Sequence, residues 1–497
     1  MTAYERLSER FQKISDIGSA SAILGWDRQV IMPDGGSESR TRTLAALSTL
    51  THEWVSEPEV GDWLDEAEAS PPNDAWKRAN LRAMRCEYRN ATAIPSDLVR
   101  ALTIAENETE MAWRSAREND DFSALAGPLA KLVDLVCSQA DALRDGRDLS
   151  RYNALLDLYD PGRTSEEIDG IFAVLEQRIP GLLEAALEKQ NASEPAITPP
   201  GTFSTTSQKA LGEAVMAALG FDFGRGRLDT SLHPFSGGLP DDSRITTRYD
   251  EADFTTSLMG VIHETGHAVY EQGLPKDWRG QPVGQSYGMT VHESQSLLFE
   301  MQVGRSPEFI GFLTPLVKEH FGVDGPAFHA SNLKKLYHKV ERGFIRVDAD
   351  EITYPLHVIL RYRLEQAMLA GDLSVADLPG AWNDIMAKLV GVTPPNDKLG
   401  CLQDIHWPSG AFGYFPTYTL GAIGAAQLIA AAREKLSGLM DEIAEGKIDK
   451  LLDWLRDEIH SKGKLTSPDA MFRSATGEGL DAMALISHLE HRYLDKS

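Results

Sequence analysis

The chain has 497 residues, 42% of them hydrophobic, which is enough for two or three average domains or one large fold with an ample core. A formal charge of −25 argues against nucleic acid and anionic membranes as partners, and no apolar run approaches the ~20 residues that cross a bilayer. Three scattered cysteines, Cys86, Cys137 and Cys401, lack C-x-x-C spacing, which argues against a disulfide framework and thiolate zinc sites, so any metal is expected to be held by histidine and carboxylate.

The start of the chain, Met1 to Ile17, is polar with mixed charge and no signal-peptide core, and a cytoplasmic protein is expected. From Ala3 to about Gln190 nearly every stretch reads as amphipathic helix, rich in Ala, Leu, Glu and Arg. Turn signals stand at Pro33-Asp34-Gly35-Gly36, Pro71-Pro72-Asn73-Asp74 and Asp160-Pro161-Gly162. Asn191 to Ser207, rich in Pro, Thr, Ser and Gly, is the clearest loop. It divides one unit, 1–497, into an N-terminal helical half, 1–200, and a catalytic half, 201–497. Between Phe221 and Tyr249, glycines punctuate short runs whose Thr and Ile content suits strands, Arg227–Ser231 and Arg244–Tyr249, predicting a small antiparallel sheet. After Gly273 the pattern returns to helix, broken by loops around Pro275–Gly288, Pro394–Leu399 and Trp407–Pro416. The expected class is all-α with one small antiparallel β-sheet.

The most informative segment is His263-Glu264-Thr265-Gly266-His267. On a helix, residues four apart stand one above the other, so both imidazoles can close on one metal ion, and Glu264 between them can reach a water on that ion as a general base. A bare H-E-x-x-H arises by chance at roughly the per-cent level in a chain of this length, so its surroundings decide. Asp250 can act as N-cap, Glu251 and Asp253 suit the helix dipole, and Gly273 followed by Pro275 is a stop signal. The pentad then lies two to three turns inside a helix that is apolar on more than one face, where buried histidines need partners and a metal supplies one. Gly266 costs about 1 kcal/mol relative to alanine, which points to close approach of another backbone or of a substrate.

Zinc takes three protein ligands at a catalytic site, so a third is needed. The next acidic helix, Val291 to Glu300, offers Glu293 and Glu300, seven apart on one face, and His292; spacing alone does not choose among them. The pentad followed by His292-Glu293-Ser294-Gln295 resembles the carboxypeptidase Taq family of metallocarboxypeptidases. Four further family motifs follow the same order along the chain: His233-Pro234-Phe235; Asp242-Ser243-Arg244-Ile245-Thr246; Ile345-Arg346-Val347-Asp348-Ala349-Asp350; and Gly400-Cys401-Leu402-Gln403-Asp404-Ile405-His406-Trp407. Trp26-Asp27 and Met32-Pro33 extend the likeness into the N-terminal half. The resemblance implies Glu293 as third ligand and Glu264 as catalytic base, with Glu300 and His292 in supporting or core roles. It also implies a saddle-like, mostly helical fold with a deep groove, and a homodimer. Leu297 and Phe299 stand where the family usually has Arg and Trp, which touches packing and leaves the ligands intact.

These parts permit metal-assisted amide hydrolysis, with Zn2+ as the expected cofactor and Co2+ able to substitute. The oxyanion needs a further donor, for which His406, Tyr414 and Tyr418 are candidates; either tyrosine could equally be a packing residue. A free substrate C-terminus calls for a guanidinium fork, and Arg346 and Arg244 lie in family motifs. Arg346 has Asp348 and Asp350 nearby, so a structural ion pair is its competing role. His233 either lines the groove or is a satisfied structural histidine. The leading function is a carboxypeptidase releasing single residues from peptides. An endo-oligopeptidase or peptidyl-dipeptidase on the same scaffold is the alternative, and an inactive peptide-binding protein is the remote one.

Overall fold

The computed structural model describes residues 1–231 and 234–496, so the candidate groove residue His233 lies outside the described residues. The first helix, Ala3–Val30, starts at a capping box in which the Thr2 hydroxyl accepts from the Glu5 backbone N–H and the Glu5 carboxylate accepts from that of Thr2. With Ser37–Ser56, Pro58–Ala69 and Ala75–Ala93 it buries a core of its own, including Leu7, Phe11, Val60, Leu64 and Met84. Full burial of each such side chain stabilises by about 1.5–3 kcal/mol. The larger core runs from Leu102 to Tyr493 and crosses the 193–204 loop, where Phe203 stacks edge-on against Phe254 and Phe321. Among the described residues no helix is long and apolar enough to cross a membrane.

One small sheet interrupts the helices: β1 (Gly226–Thr230), β2 (Phe235–Leu239) and β3 (Asp242–Thr247), in the order β1-β3-β2. It is mixed, which corrects the expectation of an antiparallel sheet. β2 pairs antiparallel with β3 and β1 pairs parallel with it. The physical reason is that the short β2–β3 turn claims one edge of β3, while the chain reverses once after β1 and again after β2, so β1 runs with β3 on the free edge. The strand Phe235–Leu239 was not among the predicted runs; its Ser-Gly-Gly centre hides it from a propensity reading.

The helix carrying the pentad spans Phe254–Gly273. Its N-cap is Asp253, which accepts from Thr255 N–H at 2.8 Å; Asp250 instead accepts from Ala252 N–H one turn earlier, so the helix begins later than expected. His263 is the tenth residue of this helix. The helices Thr205–Ala218 and Met289–Leu297 pack directly against it; Pro416–Lys435 packs in turn on Met289–Leu297, and Tyr354–Ala370 on Pro416–Lys435. Met289–Leu297 continues without a break into a π-helical stretch, Leu298–Gly304, closed by the Arg305 N–H on the Glu300 carbonyl, an i to i+5 bond.

Candidate metal centre

His263, His267 and Glu293 come together: one ligand atom from each lies within 4.8 Å of the others, and His267 Nε2 is 3.3 Å from Glu293 Oε2. Two imidazoles and a carboxylate within this span fit a divalent ion of the zinc type. Glu293 is buried on the neighbouring Met289–Leu297 helix, brought close because Gly266 has no side chain. A Cβ there would meet the Gln295 carbonyl oxygen at 2.6 Å and Ser296 Cα at 2.7 Å, so the close approach expected at Gly266 is that of a backbone.

Both imidazoles are held from behind. His263 Nδ1 lies 2.9 Å from Glu300 Oε2, and an ionised carboxylate only accepts, so Nδ1 carries a proton and Nε2 is the nitrogen available to a metal ion. The other Glu300 oxygen is 2.5 Å from Arg305 Nη2. His267 is held through a second histidine: His292 Nε2 donates to Glu271 Oε1 at 2.9 Å, which leaves His292 Nδ1 to accept from His267 Nδ1 at 2.6 Å. His267 Nε2 is thereby freed toward Glu293. The supporting roles expected for Glu300 and His292 thus have a geometry, one behind each imidazole.

The electrostatics ask for a cation. Burial by itself lowers the His263 pKa, but Glu293 and Glu300 outweigh it and push it up to about 10. His267, beside His292, is held down to about 4 by burial. Glu293 falls to about 2, where burial is overcome by His263 and His267. Glu264 is buried, and this raises its carboxyl against the opposing charge of His263.

A second cluster stands beside the first, and the charge of Glu293 is felt by Tyr354, Tyr414 and Tyr418. His406 Nε2 is 3.1 Å from the Tyr418 hydroxyl, and the rings of Tyr414 and Tyr418 lie 5.2 Å apart. Burial keeps His406 down at about 4, hence neutral at pH 7, and Tyr418 up at about 12, hence protonated. Arg346 is buried, its guanidinium 4.8 Å from the Tyr418 ring centre and donating to Asp404 Oδ1 from Nε at 3.1 Å and Nη2 at 2.9 Å. Its acid partner is Asp404, not Asp348 or Asp350; the Asp350 carboxylate accepts from the N–H groups of Glu341, Ile352 and Thr353. Arg361 binds the other oxygen of Asp404 at 2.5 Å, so two guanidinium groups share one carboxylate. Arg244, on β3, spends its fork on Asp242 at 2.9 and 2.6 Å and lies over the Trp26 ring at 4.6 Å.

A family model described as carboxypeptidase Taq (M32) metallopeptidase matches residues 6–493. The chain belongs to the carboxypeptidase Taq (M32) metallopeptidase family. It is 38% identical to thermostable carboxypeptidase 1 of Thermus thermophilus, over 99% of this chain and 98% of that one. Its fold is similar to that of metallocarboxypeptidase 1 of Trypanosoma cruzi, with 40% identity, a TM-score of 0.97 and 99% of each chain covered. It is likewise similar to an M32 carboxypeptidase of Deinococcus radiodurans, at 34% identity and a TM-score of 0.93. The protein is an M32 metallocarboxypeptidase, a peptide hydrolase that acts on peptides.

Several residues that shape this M32 site went unnoticed in the sequence. Glu271, four residues after His267 on the same helix, had a spacing signal. Gly421 and Gly424, in the small-residue run of the Pro416–Lys435 helix, signal close helix packing: a Cβ at Gly424 would meet the Phe472 ring at 2.7 Å. Glu365 had no signal. It is fully buried on the Tyr354–Ala370 helix and accepts from Trp407 Nε1 at 2.9 Å, Tyr152 OH at 3.0 Å and Gly413 N–H at 3.2 Å. It thereby ties down both ends of the loop between His406 and Tyr414. Leu297 and Phe299 are buried apolar residues of the core.

Proposed function

We propose that this M32 metallocarboxypeptidase removes single residues from the free C-terminus of peptides, with Zn2+ held by His263, His267 and Glu293 and with Glu264 as general base. The observation that carries this reading is the convergence of the three ligand atoms within 4.8 Å, with both imidazoles oriented from behind and Glu264 one residue from the first. A bound divalent ion supplies Lewis-acid chemistry, polarising the scissile carbonyl and acidifying a water. Glu264 takes the proton released on attack and delivers it to the leaving amine nitrogen. Its buried, raised carboxyl suits both directions of transfer. His406, Tyr414 and Tyr418 form the donor group for the oxyanion, and the neutral imidazole and protonated hydroxyl found there are the states that can donate.

Arg346 is the proposed partner of the substrate carboxylate. With Arg361 it brings two positive charges to the single negative charge of Asp404, and the surplus favours one more anion. Arg244, its fork already filled by Asp242, contributes as a wall of the groove through its stack on Trp26. His233 belongs to the same proposal as a groove residue. Zn2+ rather than Co2+ as the working ion, a homodimer in solution and a cytoplasmic location complete the reading.

The test uses one peptide in unblocked and C-terminally amidated form, followed by timed mass spectrometry with wild type and Glu264→Gln. Stepwise loss of single residues from the unblocked form alone, abolished by orders of magnitude in a variant that keeps its metal, is the expected result. Equal cleavage of the amidated peptide, as an endo-oligopeptidase would give, overturns the carboxypeptidase reading, and undiminished turnover in Glu264→Gln overturns the assigned base.

A further inference from the structure

A cavity of about 450 Å³ lies outside the metal centre, where the start of the Pro307–Phe321 helix meets the last helix, Ala482–Leu494. Its wall includes Glu308, Lys334, His338, Arg433, Met440 and Arg492. Glu308 Oε2 is buried without a hydrogen-bond partner. Glu308 and Arg433 feel each other's charge but stand too far apart for an ion pair, and among the described residues the exposed side chains of Arg433 and Lys334 make no hydrogen bond or ion pair, although Lys334 feels the charge of Asp495 in the same wall. A buried carboxylate oxygen left without a donor is costly, and a native structure that keeps one calls for an explanation. A small molecule that offers N–H donors to Glu308 and a carboxylate to Arg433 and Lys334 matches all three groups.

We propose that this cavity binds a free α-amino acid, with its ammonium on Glu308, its carboxylate on Arg433 and Lys334, and its side chain toward Met440. The volume lies within the range of small-molecule sites. The inference rests on the carboxypeptidase reading for the origin of the ligand, since free amino acids are what that reaction releases. A chain of contacts leads from the cavity to the metal centre. His338 Nε2 donates to the Arg305 carbonyl at 2.6 Å, the Arg305 guanidinium holds Glu300, and Glu300 holds His263. Arg492, from the same wall, donates at 2.5 Å to the carbonyl of Met301, the residue after Glu300. Occupancy of the cavity therefore bears on how firmly the first imidazole is held, and product accumulation slows the enzyme from outside its active site.

Equilibrium dialysis of metal-loaded enzyme against radiolabelled L-leucine tests this, with leucine inhibition of peptide cleavage measured alongside. Two leucines per chain are expected in wild type, one in the active site and one in the cavity, with a mixed inhibition pattern. Glu308→Gln and Arg433→Met each reduce the count to one and leave purely competitive inhibition, with kcat unchanged. Met440→Trp, which fills the cavity from its apolar wall, does the same without altering charge and stands in if a charge variant fails to fold. A count of one or none in wild type, or an unchanged count in the variants, overturns the proposal. So does competition of inorganic phosphate for a site that leucine does not occupy. Failure of the carboxypeptidase reading shows up separately, as no release of C-terminal residues by the same wild-type preparation.

Discussion

The Cα of Gly421 faces the side chain of Glu293 so closely that a methyl group there would stand 2.7 Å from Glu293 Cβ and 2.8 Å from its Cγ. The Pro416–Lys435 helix thus acts as a backstop for the carboxylate proposed as third ligand. Gly421→Ala is expected to displace the carboxylate and weaken metal binding by about 10–100-fold, comparable to losing a group that orients a ligand. Metal content after dialysis against a series of buffered zinc concentrations checks it; an unchanged affinity means that Glu293 moves freely and the backstop is dispensable.

At Gly266 the obstacle is backbone, the Gln295 carbonyl and Ser296 Cα, which cannot rotate away as a side chain can. Gly266→Val is expected to cost about 1–3 kcal/mol through overpacking and to impair activity without altering a ligand. Urea unfolding and the rate of peptide cleavage, measured on one preparation, report the two effects. Normal values for both would contradict the packing described here.

The groups behind the imidazoles give a matched pair. His292→Phe removes the acceptor of the His267 Nδ1 proton, and Glu300→Gln removes the carboxylate acceptor of the His263 Nδ1 proton. Each is expected to lower zinc affinity about 10–100-fold while all three ligands remain. Competition with a chromophoric chelator measures this, and affinities equal to wild type would show that the imidazoles hold their orientation unaided.

Glu365 supplies a pH signature. Burial pushes its carboxyl up to about 7 against the hydrogen bonds from Trp407 and Tyr152. The folded form therefore keeps a proton that the unfolded chain has already released near pH 4.5, and stability falls as pH rises from about 4.5 to about 7. The span corresponds to about 3 kcal/mol. Glu365→Gln removes the titration, so the difference in urea stability between pH 5 and pH 8 is expected to be smaller in the variant by that order. Parallel pH profiles for variant and wild type would contradict the assignment.

What could be read beforehand and what could not divide along local and distant contacts. His263, Glu264 and His267 were legible because their relation lies within one helical turn, and the stop at Gly273 lies in the same stretch. Glu293 and Glu300 were equivalent by spacing; the resemblance chose between them, and the structure places Glu293 beside His267 and Glu300 on Nδ1 of His263. Asp253 and Asp250 are both competent caps, and only the path of the chain out of β3 decides between them. The direction of β1, the pairing of Arg346 with Asp404 across 58 residues, and the grip of Glu365 on the His406 loop depend on contacts between distant segments and leave no local pattern.

The π-helical stretch Leu298–Gly304 gives one continuous helical segment two separately adjustable stations. Upstream of it, the Glu293 carboxylate faces His263 and His267; within it, the Glu300 carboxylate is turned to Nδ1 of His263. Deleting a single residue between them would swing Glu300 by about 100° while leaving Glu293 in place. The segment therefore lets the grip on the metal and the aim of its first histidine vary independently, by changes of chain length and not of chemistry.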